Sequence, residues 1–349
     1  MDQQTIIMIV SMRSRVALLV IALCACAGDD SSTTPRTLKF GPFDLAPGQE
    51  ISDQCVQITL NNTTDLYINS VELTTGPGFH HSNWFFVPER TFAGEDGTYT
   101  CKDRDFSEAV AAVFGGVLFA QSTQSPHEIQ QFPDGVIIKV PAKSKIVSQI
   151  HLLNPTDGPL DIKPEIRLVP IAESAVTTTL AGVMLENHAI ALPPSMQSKF
   201  TVDGCDIATR HEALFGREPD FKIYYALAHY HKLGTALSIE AVKADGTASL
   251  IYSTESRVGD TLGGPIDPAF DMTGYTKLRF SCSYYNPTQS TVRWGIGDQE
   301  MCVFLAFSDS TYNWAGGVLD EDPPGSPVQV GNEMQFTNPC TVYANDATH

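Results

Sequence analysis

His229 and His231 stand two residues apart at the end of an apolar run. In that run Phe221, Ile223, Tyr225 and Leu227 alternate with Lys222, Tyr224, Ala226 and Ala228. The alternation has the period of a β-strand, on which residues two apart share a face. Two imidazoles so placed can grip one ion, copper or zinc by ligand type. The competing reading is a pair of histidines on a half-exposed strand. Met301, in Glu300-Met301-Cys302, falls in the same half of the chain. A methionine in an apolar strand is usually core filler. As a ligand, its thioether favours Cu(I) over Zn(II) or Fe(II). Two histidines and one methionine therefore select copper, and a copper that spends time reduced.

A second set lies earlier in the chain. His80 and His81 follow Gly76-Pro77-Gly78. Adjacent residues on a regular strand face opposite ways, so both rings reach one ion only if the backbone twists or bulges there. The Gly-Pro-Gly makes such a path plausible. His151, in Gln149-Ile150-His151-Leu152-Leu153-Asn154-Pro155, shares a strand face with Val147, Gln149 and Leu153 and can complete a three-nitrogen site. A lone strand histidine is more often structural. His127, His188, His211 and His349 have no partner in sequence and are read as structural or surface residues.

The elements that must position these side chains are short. The chain has 349 residues, 42% hydrophobic and 18% charged, which is foldable by composition. Gly 26 and Pro 22 punctuate runs rich in Val, Ile, Thr, Phe and Tyr, which predicts an all-β architecture. Examples are Cys55 to Leu60 and Leu66 to Leu73. Gly135 to Val140 and Ile146 to Leu153 read as a hairpin-like pair about Pro141-Ala142-Lys143-Ser144. Ser107 to Phe119 is a short helix or a buried strand; periodicity does not choose. Pro193-Pro194 marks the best boundary, because a proline pair cannot sit in a central strand. It divides the chain into 38–192 and 193–349, each near the roughly 150 residues of a β-sandwich or jelly-roll domain. Asp320-Glu321-Asp322 reads as a solvated loop rather than a calcium site.

Net charge is −18, which repels phosphate backbones and excludes nucleic acid as a partner. Arg13 and Arg15 precede a short apolar stretch, Val16 to Leu23. Leu23-Cys24-Ala25-Cys26 then resembles a bacterial lipobox. Residues 1–25 are expected to be a signal peptide, with Met12 as the true start, Cys26 as the lipid-bearing residue and 26–37 as a tether. The membrane would be touched only through that anchor. The expected location is periplasmic or cell-surface, with secretion as the alternative. Beyond Cys24 and Cys26, six cysteines remain: Cys55, Cys101, Cys205, Cys282, Cys302 and Cys340. An even number behind an export signal reads as three disulfides. A structural zinc site competes poorly, since the sequence has no CxxC.

The order His-His, Gln-x-His-x-x-Asn-Pro, His-x-His-x-x-Gly, Glu-Met-Cys resembles the type II copper, ascorbate-dependent monooxygenases. That family includes peptidylglycine α-hydroxylating monooxygenase and dopamine β-monooxygenase. The resemblance spans roughly residues 38–345. It implies two tandem nine-stranded β-sandwich domains facing across a solvent cleft, each with one copper. By match, His80, His81 and His151 would hold the electron-transfer copper, with Gln149 nearby. His229, His231 and Met301 would hold the O2-binding copper and form the catalytic centre. The resemblance also implies the pairs Cys55–Cys101, Cys205–Cys340 and Cys282–Cys302. Two features depart from the family. Ser82 replaces a usual methionine. The arginine, asparagine and tyrosine with which the peptidylglycine enzymes clamp a carboxylate are replaced by Leu227, Val303 and Leu305. A carboxylate there would be buried without a partner at a cost of several kcal/mol. A neutral, apolar small-molecule substrate is expected instead of a peptidylglycine.

The expected activity is hydroxylation of an activated C–H using two copper ions, O2 and ascorbate or another electron donor. The alternative is a surface lipoprotein that holds or ferries copper without turnover. A third reading is a β-sandwich adhesin with vestigial sites.

Overall fold

The computed structural model describes residues 33–295, 297–319 and 326–346. The expected signal peptide, Cys26, most of the tether, the acidic loop at 320–325 and His349 lie outside the described residues. The chain is all-β, as its composition predicts, and forms two sandwiches.

In the first sandwich one sheet runs, in spatial order, Gly97–Thr100, Glu50–Thr59, Ser144–Leu153, Phe79–Pro88, Gly116–Ala120. The facing sheet is built on Arg36–Lys39, Glu165–Ile171, Leu66–Thr74, Val136–Val140 and Thr178–Thr179, with His127–Gln131 added to Leu66–Thr74. Between them pack Val56, Trp84, Ile146 and Ile150 from one side and Ile68, Val71, Ile166 and Leu168 from the other. The second sandwich has two six-stranded sheets. The sheet that matters for the site runs Gly263–Asp271, Lys222–His229, Val303–Ser308, Ala181–Asn187, Tyr312–Val318, Thr341–Asp346.

Four expectations change. Ala181–Asn187 pairs with Val303–Ser308 and Tyr312–Val318, so the second sandwich takes over at Ala181 rather than at residue 193. Leu192-Pro193-Pro194 instead links Ala191–Leu192 to Met196–Asp206 inside the second sandwich, where the prolines need not donate to a ladder. The first sheet begins at Arg36, two residues inside the expected tether. Val136–Val140 and Ser144–Leu153 do not pair. The tight loop carries the chain from one layer to the other, held by Asn62, whose amide donates to the Pro141 carbonyl (2.7 Å) and accepts from the Ser144 N–H (3.1 Å). Ser107 to Phe119 is both alternatives in turn: helix Glu108–Phe114, its first turn bonded by the Ser107 hydroxyl, then strand Gly116–Ala120.

The strand Lys222–His229 departs from simple alternation. Its register against Val303–Ser308 slips between Ile223 and Tyr225. After that bulge Ala226 and Ala228 face the sandwich core, while Tyr225 and Leu227 face outward. Val303, Leu305 and Phe307 do the same on the neighbouring strand. These side chains pack directly on Ala120, Phe132, Val136 and Ile138 of the first sandwich. The two sandwiches do face one another, but through an apolar layer rather than across open solvent.

Cys55–Cys101, Cys205–Cys340 and Cys282–Cys302 are all bonded. No helix among the described residues is long and apolar enough to cross a membrane. Cys205 and Cys340 are 135 residues apart and join the strand Met196–Asp206 to the chain just before Thr341–Asp346. Replacing both by alanine is expected to cost about 2–5 kcal/mol of folding stability, read from the denaturant midpoint.

Candidate metal centre

His80 and His81 reach the same place because the backbone bulges between them. In the ladder of Phe79–Pro88 against Ser144–Leu153, His81 lies opposite His151 while Phe79 lies opposite Leu152. His80 is the extra residue, and the alternation of faces is reset at that point. Gly78, just before, lies at φ +90°, and a Cβ there would come within 2.8 Å of Leu160. Gly78 is thus a steric requirement of the path into the bulge, whereas Gly76 has room for a side chain. His229 closes its strand opposite Val303. His231 follows in a turn fixed by Glu300, whose carboxylate accepts the His231 N–H at 2.9 Å and the Leu233 N–H at 2.7 Å.

All five histidines come together. Donor nitrogens of His80, His81 and His151 lie within 4.8 Å of one another, and so do those of His81, His229 and His231. His81 belongs to both groups. The expectation of two separate cups gives way to a continuous cluster in which the His80 and His231 ring centroids are 5.4 Å apart. The physical reason is the apolar layer between the sandwiches, which draws the two histidine-bearing faces together.

Ring orientation is set by neighbours. Glu50 lies 2.7 Å from His151 Nε2, which leaves His151 Nδ1 buried and unpartnered. The Gln299 carbonyl lies 2.8 Å from His231 Nδ1, which leaves His231 Nε2 buried and unpartnered. Thr123, from the first sandwich, places its hydroxyl 3.3 Å from His229 Nδ1. His80 Nδ1 and both nitrogens of His81 are also buried without partners. A carboxylate or carbonyl behind an imidazole, with a bare nitrogen in front, is the arrangement of metal-ligating histidines. The donor set therefore fits a transition metal.

The electrostatics agree. Burial, reinforced by the neighbouring imidazoles, pushes His80 down to about 2 and His81 well below its ordinary value. Burial likewise brings His229 to about 3 and His231 to about 4. Neutral imidazoles are the form that binds metal. His81 is half-buried as a residue, yet its ring nitrogens are out of solvent, and that placement governs its protonation.

A cavity of about 170 Å3 opens beside the cluster. His81, His151, His229 and Met301 line it, with Gln149, whose amide donates to the Ser52 carbonyl at 2.8 Å. Met301 is held next to the Cys282–Cys302 disulfide, and its carbonyl accepts from the Tyr284 hydroxyl at 2.6 Å. Val303 and Leu305 also line the cavity. Leu227 does not; it is buried in the apolar layer. Residues the sequence reading passed over complete the wall: Asn83, Glu108, Met184, Glu186 and Trp294. Burial pushes the Glu108 carboxyl up to about 7, the Asn83 amide at 3.2 Å opposes this, and Glu186 adds to it. Glu50 and Glu300 also went unassigned. The signal for Glu300 was present, an acidic residue next to a proposed ligand at the start of an apolar run. Glu50 and Glu108 left none, since only folding brings them to the site. Of the remaining histidines, His188 stacks on Trp294 at 4.0 Å, His211 is buried with Nδ1 3.0 Å from the Arg217 carbonyl, and His127 lies by Thr74. None of these joins the cluster.

Glu300→Ala strands two buried N–H groups, each worth about 1–3 kcal/mol. It is expected to lower the melting temperature and to weaken metal binding at His229 and His231 more than at His80 and His151, read by calorimetric titration. For pH, folded imidazoles that titrate below the ordinary 6.5 make the unfolded chain the better proton binder, so their contribution to stability falls as pH drops below 6.5 and is fully lost only below the folded values, about 4 for His231 and about 2 for His80. Glu108, Glu128 and Glu300, all raised to about 7 from 4.5, act oppositely between those values. With four imidazoles lowered and three carboxyls raised, the unfolded chain binds about one proton more between pH 6.5 and 4.5, so chemical denaturation of metal-free protein should show a shallow loss there, ~1.4 kcal/mol per pH unit, and a steeper loss below. A steep loss already complete at pH 5.5 would contradict these assignments (~1 pH unit resolves the two).

No protein-family description matches the sequence, and no curated protein matches it. Among solved structures, the major capsid protein P2 of bacteriophage PM2 aligns over 79% of this chain and 97% of its own, at 8% identity and a TM-score of 0.30. PNGase F, a glycosylasparaginase from Flavobacterium meningosepticum, aligns over 89% and 99%, at 8% identity and a TM-score of 0.33. Likeness this distant carries nothing about chemistry.

Proposed function

We propose that this chain is a copper-dependent monooxygenase that hydroxylates an activated C–H of a small organic substrate, using O2 and a reductant such as ascorbate. The observation that carries the reading is the convergence of five imidazoles in one cluster, beside a small cavity that Met301 lines with His81, His151 and His229. The motif order supports it, because each of the six matched ligand positions is at or beside that cavity. His80, His81 and His151 would hold one ion, and His229, His231 and Met301 the other. Copper there would supply O2 binding and one-electron redox chemistry.

The protein's own part is positioning and exclusion of water. Glu50 and the Gln299 carbonyl hold their imidazoles so that the metal-facing nitrogen is bare. Glu300 fixes the turn that carries His231. Met184, Trp294, Val303 and Leu305 give the cavity an apolar wall, and Asn83, Glu108 and Glu186 give it a polar one. An apolar body with one hydrogen-bond-donating end suits this lining better than the wholly apolar substrate read from Leu227, Val303 and Leu305. A peptide carboxylate would meet two glutamates and no cation on that wall. At about 170 Å3 the space lies below the ~300–1,000 Å3 of common ligand pockets, so a substrate is small or the faces part to admit it.

The three disulfides are those of an oxidising compartment. We read the chain as exported and tethered through Cys26.

The closed packing of the histidine faces favours a second reading, a copper carrier without turnover. Oxygen uptake separates the two. Copper-loaded protein with ascorbate and a panel of benzylic or N-adjacent C–H substrates should consume O2 and release hydroxylated product. Met301→Ile should abolish hydroxylation while the circular dichroism spectrum and melting stay close to wild type. Full copper occupancy with no substrate-dependent uptake would establish the carrier, and normal turnover by Met301→Ile would remove the role given to the thioether.

A further inference from the structure

His81 is unlike the other four histidines of the cluster. It alone belongs to both ligand groups. It is also the one histidine among the described residues whose two ring nitrogens are both buried and unpartnered. The others surround it, with ring centroids at 5.3 Å for His80, 5.3 Å for His151, 4.9 Å for His229 and 5.9 Å for His231. His151 and His231 each have one nitrogen engaged, by Glu50 and by the Gln299 carbonyl, and His229 has Thr123 beside its Nδ1. His151 and His231 each have one buried nitrogen left to give. His81 has two, and no acceptor for the N–H that a neutral imidazole must carry.

We propose that His81 bridges two metal ions as an imidazolate. One ring nitrogen would complete the group of His80 and His151, and the other the group of His229 and His231. The inference rests on the copper reading above. Binding of the second ion displaces the remaining ring proton to solvent, and both lone pairs then meet cations; no electron moves and no co-reactant is needed. The bridge satisfies both buried nitrogens of His81 at once. Its negative charge also offsets the repulsion between two cations held by adjoining groups. The two ions are then coupled through the ring rather than independent, and the first sandwich contributes a ligand to the ion held by the second.

The test is cupric loading of the full protein, an ion count by metal analysis, and electron paramagnetic resonance. With a bridge, protein holding two cupric ions loses most of its two-spin signal on cooling. A derivative of the wild type with one copper and one zinc returns a full one-spin signal. His81→Gln, which keeps a polar side chain but cannot bridge, returns a full spin for every copper it retains. Two copper ions with an undiminished two-spin signal would overturn the bridge and leave the copper reading standing. One copper per chain would also overturn it. Failure to retain any copper would instead remove the reading on which it rests. If His81→Gln does not fold, the wild-type and mixed-metal spectra decide alone.

Discussion

Packing five imidazoles against one another is the constraint on which the rest depends. Each buried, unpartnered polar atom costs about 1–3 kcal/mol. The cluster contains five of them: His80 Nδ1, both nitrogens of His81, His151 Nδ1 and His231 Nε2. Burial and the neighbouring rings oppose charging His80, His81, His229 and His231. The surroundings hold those four neutral, and Glu50 and the Gln299 carbonyl fix the rings of His151 and His231. A site of this kind is stable only because the structure around it is over-determined.

Several independent devices supply that over-determination. The bulge at His80 turns two adjacent side chains to one side, and Gly78 permits the path into it. Glu300 ties the His231 turn to the segment that carries Met301, while Cys282–Cys302 ties that segment to the neighbouring sheet. The apolar layer of Phe132, Ile138, Tyr225, Leu305 and Phe307 then brings the two histidine-bearing faces together. Further bonds cross the same junction: the Leu262 N–H donates to the Ser122 hydroxyl at 2.7 Å, and the Gly259 N–H donates to the Thr123 carbonyl at 3.0 Å. The loop that makes these bonds also presents Thr123 to His229. The junction of the sandwiches and the order of the site are therefore the same structural fact.

Much of this was legible in the chain. Alternation and turn residues specify an all-β architecture because strand periodicity is local. The need for a bulge at His80-His81 follows from two adjacent imidazoles sharing a target, and the Gly-Pro-Gly before them marks where it falls. The hairpin at Pro141 was misread because a short loop between two strands looks the same whether the strands pair or part to opposite layers; Asn62, far away in sequence, makes the difference. The boundary at Pro193-Pro194 was misplaced for a related reason. A proline pair marks a break in a ladder, but not which sheet the strand before it joins.

Residue types and spacing by themselves determined which side chains can bind metal, that a thioether among them favours copper, and that each half of the chain carries its own histidine set, because ligand chemistry and strand parity are properties of short segments. Only the tertiary structure decided that the two sets meet, that His81 stands in both, and that Glu50, Glu108 and Glu186 come to their side. Those outcomes depend on how the two sandwich faces pack, and that packing is the sum of many distant apolar contacts that no single stretch of sequence records.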